Sequence, residues 1–472
     1  MLTAIIRKDL TEALRDRRFV LIAVLLAGLL IVATTTGVAR FTGSTATVGS
    51  ADAATYGQWL DQGQKNPHAA AHYGLYAFKP ETPFAFAERG INDFAGQSIW
   101  LEAHYQNLAQ GRSAQDAVSI ERLGALTAGF LLQIVMPLLI IVLGFRSFAG
   151  ERESGVLAQT LAAGAPVRSL LAGKAIGAGA AILTLVAPLI VIGALSLAWM
   201  SQPGFAGLSR ALLLILAYGA YAAIWLLLTV SASALMKSSR AALVTLVGLW
   251  AVTAFVVPRL AADAARTLAP TPTYQSFKAS MDADMTNGLD GETQEQYQAR
   301  LTAETLARYS VAAPEQLPVN LQGLRFTWLE AWGGRIFDLH FGRLYDTYAA
   351  QDRVHQWAAL LSPLVAIRQV ATAIAATDLE THRRFVAAAE RHRRAYIEVM
   401  NVDMTANSRT GDRNYQASSA LWRRIGAFRF TPPPPLESLG LQRIAIGAGL
   451  FWLLLAGVVG LLAVRRIKPE LL

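Results

Sequence analysis

Residues 146–174 read RSFAGERESGVLAQTLAAGAPVRSLLAGK and lie between two long apolar runs. Charges open the stretch (Arg146, Glu151, Arg152, Glu153), and Gly155 interrupts it. An amphipathic run follows in which Leu157, Leu161 and Ala162 recur at helical spacing. Gly164 and Pro166 stop that helix, because glycine accepts a left-handed cap and proline cannot continue the hydrogen-bond ladder. Lys174 closes the stretch where the next apolar run begins. A short helix at a membrane surface, joined rigidly to a span on each side, offers a handle to a motor outside the membrane. An ordinary interfacial connector shows the same pattern.

Working outward, 53% of the 472 residues are hydrophobic and only 16% are charged. Soluble proteins carry about a quarter charged residues, so the chain falls in the membrane class before any motif is read. The net charge of +9 would suit a nucleic-acid partner in a soluble protein, but in a membrane protein the placement of each charge matters more. There is no cysteine, which excludes disulfides, thiolate metal sites and a cysteine nucleophile.

In chain order, residues 1–18 form an amphipathic interfacial helix, with Leu2, Ile5, Ile6, Leu10 and Ala13 on one face and Arg7, Lys8, Glu12 and Arg15 opposite. Residues 19–38 are about 20 apolar or small residues, enough for one crossing and longer than the h-region of a signal peptide. Residues 39–122 read as a first insert outside the membrane, partly helical, with a helical run carrying Trp100, Tyr105 and Leu108. Further spans are expected at 123–145, 175–200, 209–235, 241–258 and 441–464, with a short outer turn from Ser201 to Gly207. Residues 259–440 form a second, larger helical insert. Within it, 360–378 is apolar but interrupted by Pro363, Arg368 and Gln369, and reads as a buried or membrane-leaning domain helix instead of a span. Pro432–Pro435 is a stiff strut leading back to the membrane, and 465–472 is a tail. The fold class is all-α, a polytopic membrane protein with six transmembrane helices.

Positive charge fixes the orientation. Arg7, Lys8, Arg15, Arg17 and Arg18 precede the first span; Arg146, Arg152, Arg168 and Lys174 lie between the second and third. Lys237 and Arg240 lie between the fourth and fifth, and Arg465, Arg466 and Lys468 follow the sixth. With six spans all four groups share one side, so both termini and the 146–174 stretch are cytoplasmic and both inserts face outward.

Other candidates carry less. Gln133 sits inside the second span, where a polar side chain either lines a translocation path or makes an interhelical hydrogen bond. His68, His72 and His104 are loosely spaced with no acidic frame, the pattern of surface histidines, so no metal site is assigned. Met281 with Met285, and Met400 with Met404, are i,i+4 pairs; thioethers bind soft copper, but core filling explains two isolated pairs. The basic run His382-Arg383-Arg384 and Arg391-His392-Arg393-Arg394 reads as a solvated helix face, with a surface for anionic lipid headgroups or an acidic substrate as the sharper reading. No phosphate-cradling loop occurs, since Gly173-Lys174 runs on into Ala175, and H-E-x-x-H and G-x-S-x-G are missing as well.

The sequence resembles ABC-2-type transporter permeases. The matching residues are Glu151-Arg152-Glu153, Gly155, Leu157, Leu161, Gly164, Pro166 and Gly173-Lys174, in that order between the second and third spans, together with the basic interfacial helix before the first. The stretch from Ser362-Pro363-Leu364 to Thr377-Asp378, then Phe385 and the Arg394–Asn401 helix, resembles a branch with a large extracytoplasmic domain of unknown function. About 180 residues stand where simpler members carry a short re-entrant pair of helices. The resemblance implies a permease subunit of a bacterial inner-membrane exporter, not an enzyme, with no cofactor of its own. ATP and Mg would be bound by two copies of a partner ATPase, with a second permease subunit, identical or homologous, alongside, in a lipid bilayer and without nucleic acid. Glu151, Arg152, Glu153, Gly155, Leu157, Leu161, Gly164, Pro166 and Lys174 would form the ATPase-coupling surface, Leu157 and Leu161 as its apolar anchors. The alternative is a mechanotransmitting subunit whose outer domains act on a periplasmic partner without conducting substrate.

A cysteine-free chain makes the orientation directly testable. In intact cells a membrane-impermeant maleimide is expected to label Ala299→Cys and to spare Gln159→Cys until the cells are opened. The reverse pattern would invert the topology.

Overall fold

The computed structural model describes residues 1–112, 126–200 and 205–467. The end of the expected first insert and start of the second span (113–125), residues 201–204 of the outer turn, and 468–472 of the tail, with Lys468, lie outside the described residues. Among the described residues, six helices are long and apolar enough to cross a membrane: Phe19–Leu60, Ala128–Glu153, Val167–Thr184, Gly207–Leu235, Ser239–Leu268 and Arg443–Arg466. The chain is an all-α polytopic membrane protein.

Helix α1 (Leu2–Arg15) breaks at Asp16, whose backbone turns extended, and α2 (Arg17–Leu60) follows. At 1.5 Å per residue the 44 residues of α2 make a rod of about 66 Å, twice the roughly 30 Å hydrocarbon thickness. Residues 39–60, expected to start a separate insert, are therefore a continuation of the first span's helix. Hydroxyls in and just before this stretch are satisfied within the helix by donating back one turn, as Thr36 does to the Val32 carbonyl at 2.7 Å and Thr42 to that of Val38 at 3.1 Å.

Short α3 (Pro67–Tyr73) leads to an antiparallel sheet, β1 (Leu75–Phe78), β2 (Ser98–Glu102) and β3 (Tyr105–Gln106). Leu75 pairs with Leu101 and Glu102 with Tyr105. This corrects the helical reading of the run around Trp100 and Tyr105. Ser98–Glu102 alternates strictly, Ile99 and Leu101 inward and Ser98, Trp100 and Glu102 outward, which is a strand period and not a helical one.

The second span enters through a π-helical turn, Leu131–Val135, into α4 (Met136–Gly144). Short helices α5 (Ala149–Glu153) and α6 (Val156–Ala162) link it to α7 (Val167–Met200). Next come α8 (Phe205–Leu235) and α9 (Ser239–Ala251), which passes through a second π-helical turn, Val252–Val256, into α10 (Val257–Leu268). The second insert is helical: α11 (Tyr274–Asn287), α12 (Gln294–Arg308), α13 (Leu321–Ala358), α14 (Pro363–Ala375) and α15 (Leu379–Asn407). Then α16 (Pro435–Leu441) returns the chain to the last span, α17 (Arg443–Arg466).

Helix α14 fits the membrane-leaning one of the two readings of 360–378 and is not a core helix of the soluble insert. It is wedged among α8 and α17, with Ile367 and Ala371 packed on Met136, Tyr221 and Trp225. Only backbone donors and acceptors satisfied within the protein survive at such depth. Both π-helical turns meet that need: Ser362 Oγ donates to the Thr253 carbonyl (2.6 Å), and Trp250 Nε1 to that of Ile134 (3.1 Å).

The two inserts share one core. Trp59, Leu75, Leu101, Phe385, Tyr396, Met400 and Trp422 form a single buried cluster. Trp59 Nε1 donates to the Trp422 carbonyl and Trp422 Nε1 to that of Gly63, both at 3.0 Å. Met400 and Met404 are buried here, and Met281 and Met285 pack beside Phe277 and Phe337. The basic run on α15 is a solvated face only in part: Arg391 is exposed, but His382 and Arg393 are buried and the other arginines are paired, which corrects the sequence reading for those residues. Arg393 is 1% exposed, held by Glu390 and Glu330, while Arg394 pairs with Asp338 and Arg384 with Glu380 and Glu437. The acidic partners on α13 and α16 lie too far along the chain for spacing to reveal them.

Trp59→Ala is expected to cost about 3–5 kcal/mol, as for other buried aromatics, and to expose both inserts together to limited proteolysis. Trp59→Phe, which leaves a smaller cavity and the buried Trp422 carbonyl without its donor, should cost less, about 1–3 kcal/mol. Cleavage confined to one insert would refute a shared core.

Candidate functional site

The stretch 146–174 folds as a tight double turn at one end of the bundle. Ser154 caps α5, and Gly155 takes φ +76°, a left-handed conformation that a side chain rarely adopts, to restart the chain as α6. Gly164, at φ +86°, ends α6, and α7 starts one residue after Pro166. Buried Ser233 of α8 fixes the first turn. Its hydroxyl accepts the N–H groups of Phe148 (3.0 Å) and Ala149 (3.1 Å) and donates to the Phe145 carbonyl (2.8 Å).

The three consecutive charges then reach three different places. Glu151 Oε1 accepts from Lys8 of α1 and Lys174 of α7, each at 2.9 Å. Lys174 is itself 4% exposed, lies 3.8 Å from Asp9 and sits over the Phe148 ring. Arg152 donates to the carbonyls of Met236 (2.7 Å) and Ala234 (2.8 Å), the unpaired acceptors where α8 ends. Glu153 accepts the backbone N–H of Ser239 (2.7 Å) and its hydroxyl (2.8 Å), at the start of α9. A cation thus meets a helix C-terminus and an anion the next N-terminus, each with the sign the helix dipole favours.

The α1–α7 seam is close because Gly173 and Gly177 leave room for it. A Cβ at Gly173 would lie 2.5 Å from the Ile5 side chain, and one at Gly177 2.8 Å from Asp9 Cβ.

The coupling residues divide into two sets. Leu157 is 0% exposed and Leu161 9%, packed on Phe148, Leu170, Val230, Ala234 and Ala463. Expected as anchors for a partner, they anchor α6 to the chain's own bundle, because the amphipathic face that spacing revealed is the one turned toward α8 and α17. The outward face is Val156, Gln159, Ala162, Ala163, Gly164 and Pro166.

Gln133 lies in the π-helical turn, 3% exposed. Its amide nitrogen donates to Glu88 Oε1 and the Tyr218 hydroxyl, both at 3.0 Å, and Tyr221 donates to its backbone carbonyl at 2.8 Å. Tyr218 also donates to Glu88, and Arg368 of α14 lies 3.4 Å from Gln133 Oε1. Glu88 comes from the first insert, which reaches down to the span: Gly129 N–H donates to the Ala87 carbonyl (3.0 Å). Sequence spacing gave no sign of Glu88 here, 45 residues from Gln133.

Burial pushes the Glu88 carboxyl up to about 8 from the ordinary 4.5, against the pull of Arg368 and the Gln133 hydrogen bond. The folded protein therefore holds a proton that the unfolded chain has released, so Glu88's contribution is full below about 4.5 and is lost as pH rises toward 8. In detergent, Glu88→Gln is expected to flatten the fall in melting temperature between about pH 5 and 8, and an unchanged slope would exclude Glu88 as its source.

A family model described as ABC-2 family transporter protein matches residues 3–464 of the chain. No curated protein matches it.

Proposed function

We propose, for a chain that belongs to the ABC-2 family of transporter proteins, that residues 146–174 transmit the stroke of an ATPase to the membrane helices. Family membership supports a multi-pass membrane permease of an ABC transporter, and with it a non-enzymatic subunit that works with partner ATPase subunits. The finer reading is an exporter of the bacterial inner membrane with both termini cytoplasmic. Two ATPase copies hold ATP and Mg, and a second permease subunit, identical or homologous, completes the complex.

One observation carries the coupling reading: Glu151, Arg152 and Glu153 bond α1 with α7, the end of α8 and the start of α9. A force on α5 and α6 therefore reaches several helices through short, charge-assisted bonds. The face left outward, Val156, Gln159 and Ala163, is the docking face, and the buried Leu157 and Leu161 keep α6 from peeling away under load.

Mechanotransmission is the second reading, and the continuity of α2 favours it. This helix runs unbroken from the α1 junction to Trp59 in the shared core of the inserts, so tilting its base moves that core. Gln133, the path candidate, has its amide nitrogen engaged by Glu88 and Tyr218.

Purification of the full chain from its native membrane under gentle detergent should bring down an ATPase subunit in near-equal amount. With that complex reconstituted, Val156→Arg combined with Gln159→Glu is expected to cut permease-stimulated ATP hydrolysis at least tenfold while leaving insertion and melting temperature unchanged. Wild-type stimulation in this variant would overturn the coupling assignment.

A further inference from the structure

His68, His72 and His104 read in the sequence as scattered surface histidines, but the fold gathers them. His68 and His72 stand one turn apart on α3, and their Nε2 atoms are 3.2 Å from each other. His104 arrives from the two-residue turn between β2 and β3, and one nitrogen from each ring lies within 4.8 Å of the others. A tetrahedral ion with bonds of about 2.0–2.1 Å spaces its nitrogens about 3.3 Å apart, so the His68–His72 pair is already at ligand spacing and His104 needs only a small side-chain movement.

Three further features mark this as a built arrangement. His104 holds φ +69°, a left-handed position where a hairpin turn ordinarily takes glycine or asparagine; such strain costs about 1–3 kcal/mol and tends to gather at functional sites. Glu330 of α13 accepts the His104 backbone N–H at 2.7 Å and lies 2.9 Å from its Nδ1, which leaves Nε2 as the nitrogen free to ligate. The other Glu330 oxygen is held by buried Arg393 at 2.9 Å. A carboxylate on the far nitrogen is how ligating imidazoles are oriented and made more basic. Finally, Phe326 stacks flat on His68, with ring centroids 3.4 Å apart and 5° between planes, fixing that ring.

We propose that His68, His72 and His104 form a binding site for a single borderline divalent transition-metal ion of the zinc type, with Glu330 as the positioning residue behind His104. Three imidazoles with no thiolate match the ligand preference of such ions. His72 is exposed, so the fourth position opens to solvent. The ion ties α3 to the β2–β3 turn and, through Glu330, to α13, adding to the contacts that already join the two inserts.

The test is a Zn2+ titration by calorimetry on the full chain in detergent, purified with a histidine-free tag and stripped with chelator. Wild type should bind one Zn2+ per chain saturably. His72→Gln, at an exposed position, and His104→Ala should each lower affinity at least 100-fold. Glu330→Gln should lower it about 10–100-fold, and His355→Ala should leave it unchanged. Co2+ in place of Zn2+ should give the intense visible band of a four-coordinate ion in wild type alone. No saturable binding by wild type, or equal affinity in His72→Gln, would overturn the site.

Discussion

The end of the bundle that carries residues 146–174 depends on one physical requirement: a helix that stops leaves its terminal carbonyls and N–H groups without partners. Near a membrane, water cannot be relied on to supply them. Here α8 stops and α9 starts within a few residues, and both ends are completed by neighbouring residues of another element, Arg152 and Glu153. The helix hairpin and the linker after the second span are consequently one unit. Neither can shift without stranding the other's polar groups.

The same requirement shapes the middle of the bundle. Two π-helical turns release backbone carbonyls, and Tyr221, Trp250 and Ser362 each supply a donor to one of them or to a residue within the turns. Gln133, Tyr218 and Glu88 extend this into a polar network that crosses from an insert into the second span. Irregular backbone at that depth is tolerated only where protein surrounds it, and α14 provides much of that surround.

Much of this was legible in the sequence, for identifiable reasons. The spans announce themselves because a run of about 20 apolar residues has few other uses. The Glu151–Glu153 cluster and Lys174 stood out as charges pressed against such runs. Their partners did not, because Lys8, Met236 and Ser239 lie 82 or more residues away in sequence or are backbone atoms. Spacing also showed which face of α6 is apolar without showing that the face is turned inward. Residues 39–60 were missed as helix because Thr and Gly are poor helix formers. For the histidines there was a signal, the i,i+4 spacing of His68 and His72, but His104 joins them only once the hairpin forms.

The bond from Trp59 to the Trp422 carbonyl also sets a timetable. The two residues are separated by 363 positions, and ribosomes add roughly 5–20 residues per second. For about 20–70 seconds after α2 emerges, Trp59, Leu75 and Leu101 have no permanent cover, and the surface they will bury is open to other chains. A domain closed by such a distant contact is slow to complete. Its vulnerable interval lies in synthesis, with the first strands waiting beside the membrane for the last quarter of the chain.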